Sequence, residues 1–338
     1  MELAQIKKAL VTGAGGFVGG QLALFLANKG IEVNAMHRPG SSLNSDLAKH
    51  PKIHSAPANL LDLESLVNAS EGCNLIFHLA AYAQPWAKNP QTYYDVNVGG
   101  TINLLEAAKA NKVERVVVTA TAGTFGPQVD DSLITEEIKQ VLPPFSEYER
   151  TKLIANEKIQ EYVKDGMDIV IVSPTRVFGP GELSASNAVT KLLDQFIYKG
   201  FRFTPGDGNT TGNYAYVQDM INGHYLAALK GRTGENYILG GENLSYKEML
   251  VVFGEVNNIQ RGSIGVPLPI MLGASKVMQF LGDKFGITPA VTPPFIRKYT
   301  HNWATDISKA KTELGYTVTP FKTAVKETSD WIKSNKKA

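Results

Sequence analysis

One segment constrains this chain more than any other. Thr12-Gly13-Ala14-Gly15-Gly16-Phe17-Val18-Gly19 follows a short apolar run and opens a helical pattern. A TGxxGxxG sequence between a strand and a helix needs its glycines: Gly13 permits a tight turn, Gly16 lets the backbone approach a pyrophosphate, and Gly19 lets helix and strand pack closely. The helix that starts here offers free N–H groups and a partial positive charge to phosphate. The expectation is a βαβ unit that binds a dinucleotide through Gly13, Gly16, Phe17, Val18 and Gly19.

The rhythm continues along the first half. Short runs rich in Val and Ile recur at 8–12, 32–36, 74–79, 115–119 and 168–173, with helical patterns at 17–29, 90–111 and 147–164 between them. Runs apolar on successive residues suit strands buried on both faces, and strand–helix alternation means a doubly wound parallel sheet. Beyond Pro174 the Gly and Pro content becomes irregular. The expected fold is α/β: a Rossmann-type doubly wound parallel sheet over residues 1–174, with a smaller substrate domain over 175–338. The two should interleave, because strand-like segments such as 236–239 can return to the sheet.

Composition excludes several classes. The chain has 338 residues, enough for about two domains. Hydrophobic residues at 43% and charged residues at 20% argue against disorder. The single cysteine, Cys73, rules out a disulfide framework and a Cys-rich zinc site, and no metal-ligand spacing is present. A net charge of +2 gives no basic surface for nucleic acid. The N-terminus lacks the pattern of a signal peptide. The most apolar late segment, 266–282, is interrupted by Lys276 and Gln279 and falls short of the roughly 20 apolar residues of a spanning helix. It is expected to be an amphipathic helix packed on the second domain, in a cytoplasmic enzyme without a membrane span.

The end of the second strand bears on which dinucleotide is bound. An acid there would take the ribose 2′-OH of NAD. Met36-His37-Arg38 has none, and Arg38 can meet a 2′-phosphate, so NADP is expected and NAD is the alternative. Asn59 and Leu60 follow the third strand, where Asn59 can bond the adenine amino group.

Catalytic candidates come next. Tyr148 and Lys152 stand four apart on one helix face. An ammonium near the phenol would lower its pKa, and Lys152 can also hold a ribose. Tyr148 could then pass a proton to a ketone, or take one from an alcohol. Thr121 closes the fifth strand at the carboxyl end of the sheet, where open α/β sheets place ligands, and its hydroxyl can bind a substrate oxygen. Thr119 is its local competitor and reads as a strand residue.

In this ordered set the chain resembles the extended short-chain dehydrogenase/reductase family, which includes the NAD-dependent epimerases and dehydratases. Phe77-His78-Leu79-Ala80-Ala81 is similar to the family's HLAA segment, implying that Leu79, Ala80 and Ala81 line the cofactor. Asn97-Val98-Gly99-Gly100-Thr101 resembles its NVxGT segment, whose Asn97 is structural or part of a proton relay. Thr121, Tyr148 and Lys152 match the catalytic set. The stretch from Pro174 to Gly181 resembles the nicotinamide-contacting segment, implicating Pro174, Thr175 and Val177. The resemblance also implies that the helical stretches 90–111 and 147–164 could pair with a second copy as a homodimer.

Two features narrow the branch. The segment from Gly212 to Asp219 lacks the Arg with which sugar-nucleotide members hold a diphosphate. Trp86-Ala87-Lys88-Asn89-Pro90 and the stretch from Tyr237 to Leu244 resemble the hopanoid-associated branch, which is similar to dihydroflavonol reductases and 3β-hydroxysteroid dehydrogenases. The function implied is an oxidoreductase acting on a ketone or secondary alcohol. A sugar-nucleotide epimerase or dehydratase is the alternative, and a non-catalytic dinucleotide-binding regulator the third reading. Gln84, Trp86, Thr121, Phe125, Phe178, Tyr214 and Tyr216 are the expected substrate residues, and their aromatic lining with few charges suits a small, neutral, largely apolar molecule.

Overall fold

A computed structural model describes residues 6–138 and 140–336. Six strands build the first half: β1 (Lys8–Thr12), β2 (Glu32–His37), β3 (Ile53–Pro57), β4 (Leu75–His78), β5 (Arg115–Thr119) and β6 (Ile169–Pro174). Then follow β7 (Arg176–Phe178), β8 (Phe203–Pro205), β9 (Thr211–Tyr216), β10 (Asn236–Leu239), β11 (Glu242–Ser245) and β12 (Ile264–Val266). The main sheet has seven strands in the order β10-β6-β5-β4-β1-β2-β3, and every neighbouring pair in it is parallel. The strand order reverses beside β1, which places the ligand crevice at the carboxyl ends of β1 and β4.

Strand alternation explains the two helical layers. Ala9 and Val11 point into the larger core, while Leu10 between them points into the smaller one on the opposite face. Phe77 and Ile76 divide in the same way, as do Val117 and Val116. Each strand is thus apolar on both faces and must be covered on both.

The later chain adds two small sheets. β7, β9 and β11 form one with β9 in the middle, and β8 pairs with β12. β10 returns to the main sheet in parallel with β6, Leu239 lying opposite Pro174. The later part of the chain is therefore tied to the main sheet through its own strand.

Three elements differ from expectation. The stretch 90–111 is not one regular helix: a wide π turn at Asp95–Gly99 separates Gln91–Tyr94 from Gly100–Ala110. Such turns mark sites where a side chain must be re-aimed, and Asn97 lies in this one. The sequence also carries a helical pattern at 306–314, of which Ala310–Leu314 forms a single wide turn. The late apolar helix, Leu268–Phe285, buries only Ser275 and Gly282, while Ile270, Val277, Phe280 and Phe285 are exposed. Its expected packing is corrected: Pro289 against Gly282 and the Asp283 bond to Trp86 hold one end, leaving the apolar face outward. Among the described residues, no helix is long and apolar enough to cross a membrane.

Candidate active site

The glycine loop closes on itself before the first helix begins. Gly16 N–H donates to Gly13 C=O at 2.9 Å, and Gly13 has φ +72°, in the left-handed region. A Cβ at Gly19 would lie 2.3 Å from Gly13 O, so helix Phe17–Asn28 can approach the loop only with glycine there. Gly16 caps that helix without a side-chain bond, and no acid stands in its first turn. The free N–H groups face no competing anion, which fits a pyrophosphate. Gly15, Gly16 and Phe17 border a cleft of about 500 Å³, closed on the far side by Ser42, Asn44 and Gly181. Sequence reasoning missed that far wall, because nothing local marks segments distant in the chain as neighbours. Val18 is half-buried against the larger core.

Arg38 is exposed at the end of β2, and among the described residues no acid pairs with it. Asn59 is also exposed, its Oδ1 accepting from Leu61 N at 3.1 Å. Leu60 is corrected as a cofactor contact: its side chain is buried against Gly100, which draws it into the smaller core.

A polar chain locks the switch point. Thr12 Oγ1 accepts from Leu79 N at 3.1 Å and Ala80 N at 3.0 Å, and meets His78 Nδ1 at 2.9 Å. Thr101 Oγ1 donates to Asn97 O at 2.7 Å, so it must accept from His78 Nε2 at 3.0 Å. The imidazole therefore carries its proton on Nε2 and accepts from Thr12 at Nδ1. Burial, with the Lys152 charge nearby, lowers its pKa to about 3 and keeps it neutral. Leu79, Ala80 and Ala81 are half-buried at this edge.

Asn97 Nδ2 donates to Thr151 Oγ1 at 3.0 Å and to Tyr82 O at 3.2 Å, while its Oδ1 accepts from Tyr82 N at 2.8 Å. It braces the helix that carries Tyr148 and Lys152 against the loop after β4. Helix Glu147–Lys164 begins at Ser146, whose hydroxyl accepts from Glu149 N at 3.3 Å. Lys152 is buried and donates from Nζ to Thr119 O at 2.7 Å, the last residue of β5. Burial lowers its pKa to about 8, so at neutral pH it is a poorly solvated cation. Tyr148 departs from expectation: burial first, then the Glu149 charge, pushes its phenol well above the ordinary value. The protein's own groups thus hold Tyr148 protonated, the form that gives a proton to a carbonyl oxygen.

Glu149 is itself buried, its Oε1 paired with Lys298 Nζ at 2.5 Å and its Oε2 accepting from Phe145 N at 3.0 Å. Gly123 leaves room for it, since a Cβ there would meet Glu149 Oε1 at 2.8 Å.

Thr121 ends the strand region and caps the short turn Ala122–Phe125, its Oγ1 accepting from Gly123 N at 3.2 Å. Thr119 is held instead by His224, Oγ1 to Nε2 at 2.9 Å, a structural role. Thr121 lines a small cavity of about 60 Å³ together with Pro174, Thr175 and Arg176. Lys298, Trp303 and Thr305 close the other side. Thr175 Oγ1 donates to Asn213 Oδ1 at 2.8 Å, and Val177 packs against the core.

The expected substrate set divides. Phe178 and Tyr216 are corrected: both are buried, Phe178 stacks near Tyr216 and Phe321, and the Tyr216 hydroxyl donates to Glu327 at 2.5 Å. Strand alternation turns them into the core. Tyr214 is buried against Arg176 and does not line the cavity. Phe125 is half-buried beside Thr121, and Gln84 is exposed. Trp86 donates from Nε1 to Asp283 at 2.8 Å, linking the loop after β4 to the late helix. Arg176 and Lys298 put two cations at a cavity expected to hold few charges. Arg176 was legible as a lone base inside the motif after β6, whereas Lys298 and Trp303 carry no local signal.

Known proteins match this chain in sequence and in fold. The model of the NAD dependent epimerase/dehydratase family matches residues 9–240. A putative dihydroflavonol 4-reductase from Synechocystis is 29% identical over 96% of this chain and 94% of its own length. Sterol demethylase protein B from Methylococcus capsulatus is 29% identical over 96% of this chain and 98% of its own. The structure of UDP-glucose 4-epimerase with UDP-glucose, from Thermotoga maritima, superposes with TM-score 0.78 at 20% identity, covering 97% of this chain and 99% of that one.

Proposed function

This chain belongs to the NAD dependent epimerase/dehydratase family, and we propose that it is an oxidoreductase acting between a ketone and a secondary alcohol, with NADP as its preferred dinucleotide. One observation carries the reading: buried Lys152, on the same helix as protonated Tyr148, is fixed on Thr119 at the carboxyl end of β5, just before Thr121, which lines the cavity. The residues present fit a dinucleotide, because the first helix offers an N-terminus without a side-chain cap, behind Gly13, whose positive φ favours glycine, and Gly19, where a Cβ would clash. When bound, the nicotinamide supplies the hydride acceptor or donor.

The chain's own groups do the rest. Thr121 Oγ1 orients the substrate oxygen. Tyr148 gives its proton to that oxygen as negative charge develops on it. Lys152 stabilises the phenolate left behind, since opposite charge favours the ionised form. Asn97 keeps the helix in register through Thr151 and Tyr82. Arg38 and Asn59 would take the 2′-phosphate and adenine. The similarity to a putative dihydroflavonol 4-reductase supports the reductase reading.

A sugar-nucleotide epimerase is the second reading, favoured by the shared fold with UDP-glucose 4-epimerase. It would keep its dinucleotide through a closed redox cycle. The deciding experiment is an NADPH oxidation assay over a ketone panel with wild type and Tyr148→Phe. The oxidoreductase reading expects net NADPH consumption that Tyr148→Phe abolishes while NADPH still binds. Full activity in the variant sinks the mechanism, and no net consumption with any ketone favours the epimerase.

A further inference from the structure

Arg176 is a half-buried cation with no carboxylate paired to it among the described residues. Its Nη1 donates to the Tyr214 hydroxyl at 3.2 Å, and its guanidinium carbon lies 5.5 Å from the Tyr214 ring centre and 5.2 Å from that of Tyr246. Nη2 is buried with no hydrogen-bond partner. Burial pushes the phenols of Tyr214, Tyr246 and Tyr299 up, so all three are neutral and none is a counter-ion. Ring faces offset part of the cost of burying the charge, but an unmade bond to a charged donor is expensive.

Two neighbours share this condition. The Tyr246 hydroxyl, on the ring that Arg176 overlies, and Thr305 Oγ1 are also buried without partners. Arg176 and Thr305 line the same cavity as Thr121. The other cation there, Lys298, is already neutralised by Glu149. Asn213 is saturated, bonded to Thr175, Gly241 and Asn243. What is left at the cavity is one permanent positive charge, with Arg176 Nη2 and Thr305 Oγ1 able to donate and no acceptor for them among the described residues. Their complement is a small planar anion that only accepts. The cavity, about 60 Å³, suits a carboxylate and is small for a diphosphate.

We propose that Arg176, with Thr305, anchors a carboxylate carried by the substrate, close to the oxygen that Thr121 binds. The substrate class is then a hydroxy or oxo acid on an apolar body. Only the role of Thr121 rests on the oxidoreductase reading; the anchor itself is a binding site and is tested as one.

The test is calorimetric titration of the full chain, saturated with NADP⁺, using cyclohexanecarboxylate, its methyl ester and UDP as probes. Wild type is expected to bind the carboxylate at least about tenfold tighter than the ester, as expected for one charge-assisted contact. Arg176→Met removes that preference, and Thr305→Val weakens carboxylate binding several-fold with ester binding unchanged. Should Arg176→Met fail to fold, Arg176→Lys and Thr305→Val carry the test, the lysine keeping the charge but losing the planar fork. Equal binding of acid and ester, no carboxylate binding, or wild-type affinity in the folded variants overturns the anchor. UDP binding that depends on Arg176 overturns it too, in favour of a diphosphate. Arg176-dependent carboxylate binding in a protein that reduces no ketone upholds the anchor and counts against the oxidoreductase reading alone.

Discussion

Lys152 places its Nζ 2.7 Å from the carbonyl oxygen of Thr119, bolting the Tyr148 helix to the end of β5. One contact therefore sets both the position of the cation and the distance from helix to sheet. Lys152→Arg keeps the charge but cannot repeat this geometry in a buried site, because a guanidinium is broad and planar. Its kcat is expected to fall by about 10² or more. The pH profile gives a second readout. Burial lowers Lys152 to about 8, so ketone reduction by wild type should decline above that pH as the cation is lost. A profile flat from pH 7 to 10 would contradict the assignment.

The glycine loop predicts a contrast between two substitutions. Gly19→Ala would place a Cβ 2.3 Å from Gly13 O, so the helix start must shift. It is expected to cost about 1–3 kcal/mol and abolish NADPH binding. Gly273 lies in an exposed helix with nothing within 4 Å of its missing Cβ. Gly273→Ala should raise stability by about 0.4–1 kcal/mol through the unfolded state. Thermal melts and fluorescence titration check both; normal NADPH binding by Gly19→Ala would refute the packing argument.

Two buried histidines predict an acid-sensitive fold. Burial lowers His78 to about 3 and His224 to about 4. The unfolded chain takes up these protons near pH 6.5, and the folded chain does not until much lower pH. Their contribution is present in full above about 6.5 and is lost as pH falls toward 4, at up to about 1.4 kcal/mol per pH unit for each histidine. Urea unfolding at pH 7 and pH 5 should show the loss, and His224→Asn should reduce its slope. A pH-independent midpoint would count against both burials.

Arg38 predicts cofactor choice. Its exposed guanidinium follows the end of β2, and among the described residues no acid pairs with it. Arg38→Ser should weaken NADPH at least about tenfold and leave NADH unchanged, as expected for loss of a charge-assisted contact to a 2′-phosphate. Tighter NADH than NADPH binding by wild type would reverse the preference.

The fold was readable because its signals are local. The glycine loop, the both-face apolar runs and the unbroken helix at Glu147–Lys164 each occupy a few consecutive residues whose order reports their geometry. The wide turn at Asn97 was not readable, since it answers to bonds with Tyr82 and Thr151 on other segments.

The site divides along the same line. Sequence alone determined the strand–helix alternation of the first half, the glycine loop and the helix that carries Tyr148 and Lys152, because periodicity and backbone freedom act between near neighbours. Tertiary structure decided which polar groups are buried and with whom. It turned Phe178 and Tyr216 into the core, kept Tyr148 protonated, brought Lys298 to Glu149, and left Arg176 without a carboxylate among the described residues. Burial and charge pairing depend on what the rest of the chain packs against, and no short window of sequence carries that information.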